Sequence, residues 1–474
     1  MTILAIDQGT TSTRAVTVAP DGTVRIVRSI EHRQIYPRPG WVEHDPEELM
    51  GNIRACIDAA GAVAAVGLDN QGESCLAWDA ETGQPVSPVI VWQDERTMAE
   101  TDRLRSEGAE ALTLARAGLP LDPYFSASKL GWIMRELPEA AALARAGRLR
   151  LGTTDAFFRQ RLTGRCETDP TTASRTSLMN LGTCQWDPDL CALFGVPVEC
   201  LPQITPTTGD LGQIGSLPLT ASVVDQQAAL RGHGCATEGD AKITFGTGAF
   251  VLAVGGAKVP EPGRGPLPTI AWEIGGKGPT YALEGGVYAA AAALNWARDL
   301  GLFGEFDEIV EFSAPPAISR GLVFVPSLAG LACPHWDRRA RGAWLGLGLD
   351  TGKTDLVQAV IEGVAFRAAE VIASFEAHTP LTQPISIDGG MTRNPWFCQF
   401  LADTLGREVV ISDEPELTAL GTAELAALGA GQTFERKRAG KIISPRPQPA
   451  HWNETFALAR GLVQEFGKAP VDVG

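Results

Sequence analysis

The sequence predicts an α/β protein made of two similar halves that hold one ligand between them. Three observations carry that expectation. With 474 residues the chain is too long for one compact core and calls for two or three domains. Near its start, short strand-type runs give way to a helical run and then to another strand, the alternation of an α/β fold. A strand that breaks into a glycine- and threonine-containing turn and returns as a strand occurs at the N-terminus, and again past the middle at Lys242-Ile243-Thr244-Phe245-Gly246-Thr247-Gly248.

In chain order, Ile3-Leu4-Ala5-Ile6 is an apolar run fit for a buried strand, and residues 15–18 return as a second one. Between them, Asp7-Gln8-Gly9-Thr10-Thr11-Ser12-Thr13-Arg14 offers backbone N–H groups and hydroxyls to an anion, with one carboxylate beside them. A carboxylate facing a polyphosphate needs a cation between the two. The turn therefore reads either as a Mg-nucleotide site at a hairpin tip or as an ordinary polar turn. Pro20-Asp21-Gly22-Thr23 is a turn into a third strand over 24–30. Asp45 then reads as an N-cap, Pro46 as the first helical residue and Glu48 as the partner in a capping box, for a helix running to about residue 61. A strand over 62–68 ends at Asp69-Asn70-Gln71-Gly72-Glu73, and a hairpin turning at Glu81-Thr82-Gly83-Gln84 ends over 89–92. Residues 93–206 read as mainly helical, and the alanine-rich stretch 285–297 as a packed helix. The opening pattern recurs at 242–254, and Ile385-Ser386-Ile387-Asp388-Gly389-Gly390 feeds a helix over 395–405, a ready anion or nucleotide site. Three glycine turns after strands, two of them near-copies, suggest one nucleotide gripped by two similar domains.

Composition narrows the partners. Hydrophobic content of 44% and charged content of 20% are those of a soluble globular protein, and a net charge of −16 argues against nucleic acid or an anionic membrane. Nine cysteines without a C-x-x-C pair fit reduced thiols rather than a disulfide or zinc framework. His44, His233 and His335 lack metal-ligand spacing. The N-terminus enters a strand almost at once, and no apolar run approaches the ~20 residues of a membrane span, so the expected location is the cytoplasm.

Longer stretches carry a resemblance. Asp7-Gln8-Gly9-Thr10-Thr11-Ser12, Pro39-Gly40-Trp41-Val42-Glu43-His44-Asp45-Pro46, Asp122-Pro123-Tyr124-Phe125-Ser126, Ala173-Ser174-Arg175-Thr176, Asp225-Gln226-Gln227-Ala228-Ala229-Leu230, Tyr281-Ala282-Leu283-Glu284-Gly285 and Asp388-Gly389-Gly390 occur in that order. The spaced set Tyr124, Ser126, Lys129, Leu130, Trp132 and the segment 342–362 fit as well. The chain resembles the FGGY carbohydrate kinases over essentially its whole length, and within them the glycerol kinase branch. The resemblance implies two ribonuclease-H-like domains of the actin-type ATPase kind with a deep cleft, a polyol-binding unit over 1–231 and an ATP-binding unit over 232–474. It implies Asp225 as the general base, and Glu73, Trp92, Tyr124, Gln226 and Phe250 as the polyol pocket. Asp7 would hold Mg²⁺. Thr10, Thr11, Ser12 and Arg14 would line the phosphates of ATP, with Thr247 meeting them from the other side. Asn295, Gly390 and Asn394 would border the nucleotide. Dimers are common in the family, but no interface can be read from these residues.

Two departures stand out. Where glycerol kinases have Asn-Gln-Arg-Glu, this chain has Asn70-Gln71-Gly72-Glu73. The missing guanidinium implies a void and lost donors. The void would be filled by a longer polyol such as erythritol, or by another arginine reaching in. The stretch 208–224 is shorter than the loop that carries a sugar-bisphosphate site in enteric glycerol kinases, so no inhibition by fructose 1,6-bisphosphate is expected. Ala291 and Asn295, where the family often has Gly and Gln, are mild changes. A ketose kinase acting on xylulose would usually carry a Met-His pair in place of Gln71-Gly72-Glu73. An actin- or chaperone-like ATPase would share the two hairpins but have no use for Asp225 and Gln226.

Overall fold

The computed structural model describes residues 1–261, 263, 265–382, 384–433 and 440–468. Its first sheet grows from the N-terminal hairpin: β1 (Ile3–Gln8), β2 (Ser12–Val18) and β3 (Val24–Glu31) form an antiparallel meander. On the other side of β1 the strand Ala65–Asn70 runs parallel to it, with Leu217–Val224 parallel beyond that. The second sheet repeats the plan. Ala241–Phe245 and Ala249–Gly256 form the hairpin, Pro279–Val287 and Leu267–Glu273 extend it, and Ile385–Gly389 lies parallel to Ala241–Phe245 as Ala65–Asn70 does to β1. The duplication seen in two short turns is thus a duplication of the sheet order around them, and the fold is the expected pair of ribonuclease-H-like α/β units.

Helix α1 (Pro46–Ala59) starts as the sequence dictates, with the Asp45 carboxylate accepting from the N–H groups of Glu47 and Glu48. The capping box is only half formed, because Glu48 turns away and accepts from the Arg33 backbone N–H and guanidinium. Three other expectations need correction. The stretch 285–297 is not one helix: residues up to Val287 finish a strand, and the helix is Ala291–Asp299. At Gly285 a Cβ would lie 2.8 Å from Cys333 Sγ and 2.9 Å from Val371, so the small residues there serve close packing on the sheet. The strand expected over 62–68 is Ala65–Asn70. The strand before the 81–84 turn, Cys75–Asp79, takes Leu149–Thr153 as its main partner and meets Val89–Ile90 only through Cys75 and Ile90.

One helix from late in the chain, Leu417–Gly429, packs on the first sheet and against the short helix Asp225–Gly232. The approach is close enough that a Cβ on Gly421 would collide with the Ala228 carbonyl. A single apolar cluster joins Ile3 and Ala5 of β1, Leu252 and Val254 of the second sheet, and Ala419 and Ala423 of that helix. The two halves therefore share a core at their base while their strand ends open onto a common cleft.

Candidate active site

The parallel strands deliver acidic residues to one place. Register puts Asp69 beside Asp7 and Val223 beside Asp69, so Asp225 emerges just past the end of its strand as the first residue of the helix Asp225–Gly232. Carboxyl ends of parallel strands are where ligands bind in open α/β sheets. Asp225 is pushed up to about 7, by burial first and then by the Glu73 and Asp7 carboxylates, against the opposing pull of the Gln226 N–H and Lys242. Asp7 and Asp69 are both raised by burial, Asp69 well above the carboxylate range with the Asp7 charge adding to it. Asp69 lies against the Asp7 carboxyl, its Oδ2 accepts from the Thr422 hydroxyl at 2.6 Å, and its Oδ1 is buried without a hydrogen-bond partner of good geometry among the described residues. A half-buried Asp7 carboxyl beside the buried Asp69 carboxyl is a donor set suited to a cation, which would relieve the repulsion between the two charges.

Beside them stands a wall of polar and aromatic side chains. Glu73 adopts a left-handed backbone, φ 60, in a tight turn closed by the Ser74 N–H donating to the Gly72 carbonyl at 2.7 Å. Such a conformation costs energy in a non-glycine residue and persists where the surroundings enforce it. Here Ser126 Oγ donates to the Glu73 carbonyl at 2.9 Å, and Ser74 Oγ accepts the Trp92 N–H at 3.1 Å. Trp92 and Tyr124 meet edge to face, with centroids 5.7 Å apart. The Trp92 indole donates to Thr10 Oγ1 at 3.1 Å, joining this wall to the first hairpin. Burial, with the Glu73 charge behind it, raises Tyr124 well above the usual phenol range, so its O–H remains a donor. Gln226 gives its amide oxygen to Lys242 Nζ at 2.9 Å, which leaves its NH₂ free to donate.

Thr10, Thr11, Trp92, Tyr124, Thr247 and Phe250 line one cleft of about 630 Å³ that takes walls from both halves. Gly9 N–H closes the first hairpin turn onto the Ser12 carbonyl at 3.0 Å, and Thr247 is anchored by its carbonyl, which accepts from Ala290 and Ala292 at 3.0 Å each. Other expected residues are engaged elsewhere. Arg14 pairs with Glu416 at 3.1 Å. Asn394 caps the helix Pro395–Leu405, accepting from Phe397 N–H at 3.0 Å and donating to the Ile309 carbonyl at 2.8 Å. Gly390 and Asn295 are exposed, and Gly390 has open space beside it. The preceding Gly389 has φ 95, and a Cβ on it would strike the backbone of Phe245, so glycine is required for this turn to meet the second hairpin.

The site also holds groups to which the sequence assigned no role. Arg175 Nε donates to Glu73 Oε1 at 2.7 Å and its Nη2 to Glu284 Oε1 at 2.9 Å. Burial opposes its charge, but the Glu284 and Glu73 carboxylates outweigh it and hold its pKa above the ordinary value. Lys242, buried at the base of the second hairpin, also donates to Thr244 Oγ1 at 3.0 Å, and burial lowers its pKa. The space immediately beside Gly72 is taken. A Cβ at that position would lie 2.6 Å from Val224 Cγ2, and the cleft is lined instead by the guanidinium-bearing Arg175.

Residues 2–224 match the FGGY family of carbohydrate kinases, N-terminal domain, and residues 241–430 its C-terminal domain. A glycerol kinase of Trichlorobacter lovleyi is 42% identical, with 98% of this chain and 99% of that protein covered. One of Thermus brockianus is also 42% identical, with 95% and 92% covered. Among solved structures, Plasmodium falciparum glycerol kinase with ADP superposes with a TM-score of 0.90 at 29% identity, covering 99% of each chain. Xylulose kinase from Rhodospirillum rubrum, at 24% identity and a TM-score of 0.87, shares the fold.

Proposed function

The chain belongs to the FGGY family of carbohydrate kinases, and from that premise we propose that it transfers the γ-phosphoryl group of Mg-ATP to a terminal hydroxyl of glycerol or a polyol of similar size. The observation that carries the reading is the single cleft in which two hairpin tips, at Thr10-Thr11 and Thr247, face an acceptor wall of Trp92, Tyr124 and Phe250. Phosphoryl transfer asks little covalent chemistry of the protein, only in-line positioning and charge stabilisation. Asp225 takes the proton from the attacking hydroxyl, and a base that titrates near neutrality suits that task. Glu73 accepts from a second hydroxyl, Gln226 donates through its amide, and Trp92 and Phe250 pack on the carbon chain. Thr10, Thr11, Ser12 and Thr247 bind the phosphates, with Arg14 beside them. Asn295, Gly390 and Asn394 border the nucleoside. Asp7 would hold Mg²⁺, which when bound neutralises phosphate charge. In this division residues 1–231 carry the acceptor and residues 232–474 the nucleotide, and the cleft between them excludes water so that the polyol is phosphorylated in its place.

Glycerol is favoured over a larger acceptor on two grounds. Val224 occupies the space beside Gly72, and several relatives about 42% identical are glycerol kinases. Initial rates with Mg-ATP and a panel of glycerol, erythritol, threitol, pentitols and xylulose test the reading. Glycerol should give the highest kcat/KM. A pentitol or xylulose as the best acceptor would move the assignment to another branch of the family.

A further inference from the structure

Arg175 is 2% exposed yet lines the cleft, and only two of its three guanidinium nitrogens are engaged. Nε and Nη2 are held by Glu73 and Glu284, one carboxylate from each half of the molecule, while Nη1 is buried and meets no partner among the described residues. A buried charged donor without an acceptor is costly, and a ligand oxygen at that place removes the cost. The surroundings specify which ligand. Glu73 belongs to the acceptor wall, and the Arg175 guanidinium carbon lies 5.9 Å from the centre of the Tyr124 ring. No arginine stands at position 72, where Val224 takes the room a side chain would need.

Resting on the polyol-kinase reading, we infer that Arg175 Nη1 donates a hydrogen bond to an acceptor hydroxyl that is not the one phosphorylated. Arg175 is thereby the residue that requires this hydroxyl in the substrate. The two carboxylates fix the fork, so the third nitrogen of this cleft-lining residue is held in place without a search through rotamers. Because Glu284 comes from the second half and Glu73 from the first, the donor is in position when both halves flank the acceptor.

The test is a substrate cycle. Initial rates at saturating Mg-ATP are measured for glycerol, 1,2-propanediol and 1,3-propanediol, with the unaltered enzyme and with Arg175→Lys. On glycerol, kcat/KM should fall about ten- to a hundred-fold, chiefly through KM. On the diol that lacks the recognised hydroxyl the fall should stay below about three-fold, with the KM for ATP within about two-fold on every acceptor. Glu284→Gln, which keeps the guanidinium and loosens one of its anchors, should show the same acceptor pattern at smaller size, and it decides the matter if Arg175→Lys does not fold. An equal loss on all three acceptors, or none on glycerol, overturns the inference and leaves the kinase reading intact. An unaltered enzyme that phosphorylates none of the three overturns both.

Discussion

Asp225 carries its charge against burial and against two neighbouring carboxylates, and this sets its pH behaviour. Its folded pKa of about 7 lies above the ordinary 3.8. The residue's contribution to stability is therefore fully present below the ordinary carboxylate range and is lost as pH rises through about 7. In the proposed role of Asp225 as the base, activity runs the other way, since a base must be ionised. The kcat/KM for the polyol should show an acid limb with an apparent pKa of about 7, measured from pH–rate profiles. Asp225→Asn should lower kcat by about 10²–10⁴-fold with little change in KM for ATP. A variant that retains most of its kcat would remove the base assignment. Thr10, Trp92 and Tyr124 line one cleft, and these three and Asp7 were open to assignment through the family resemblance. Arg175 was not, because its partners lie 102 and 109 residues away in sequence. Val224 beside Gly72 was hidden for the same reason: a one-residue departure shows what is lost, while what refills the space comes from another strand.

At the scale of elements, the helix Asp225–Gly232 is held in place by the helix Leu417–Gly429, and glycines allow the two backbones to approach. A methyl group on Gly421 would meet the Ala228 carbonyl. Gly421→Ala should destabilise the protein by about 1–3 kcal/mol, as overpacking does, and should also lower kcat by shifting Asp225. Thermal melts and kinetics on the same preparation check both effects, and a stable, fully active variant would show that the helix contact does not position the base. The two hairpins, the N-cap at Asp45 and the turn before Pro395 were readable because turn and cap chemistry is local. Glu48 was misread because Arg33, which draws it off the capping box, belongs to a loop that folds back from outside the helix. The stretch 285–297 was misread because small residues serve equally for a helix interior and for a strand packed against Cys333 and Val371.

At the scale of the molecule, the same plan is used twice, and the use differs because different side chains stand at the strand ends. The first sheet brings Asp7, Asp69 and Asp225 together. The second places Lys242 and Thr247 opposite them. The two sheets share one apolar cluster at their base, so the cleft lies between halves that are tied together rather than beads on a linker. This arrangement is common ground between metabolite kinases and polymerising or chaperone-type ATPases. In the proposed reading the acceptor wall and Asp225 distinguish the first from the second, and the distinction is measurable in one assay. The protein is incubated with Mg-ATP, with and without glycerol, and ADP and glycerol phosphate are both quantified. The account predicts one glycerol phosphate for each ADP and almost no ADP when glycerol is left out. ADP formation that proceeds at the same rate without any polyol would contradict it.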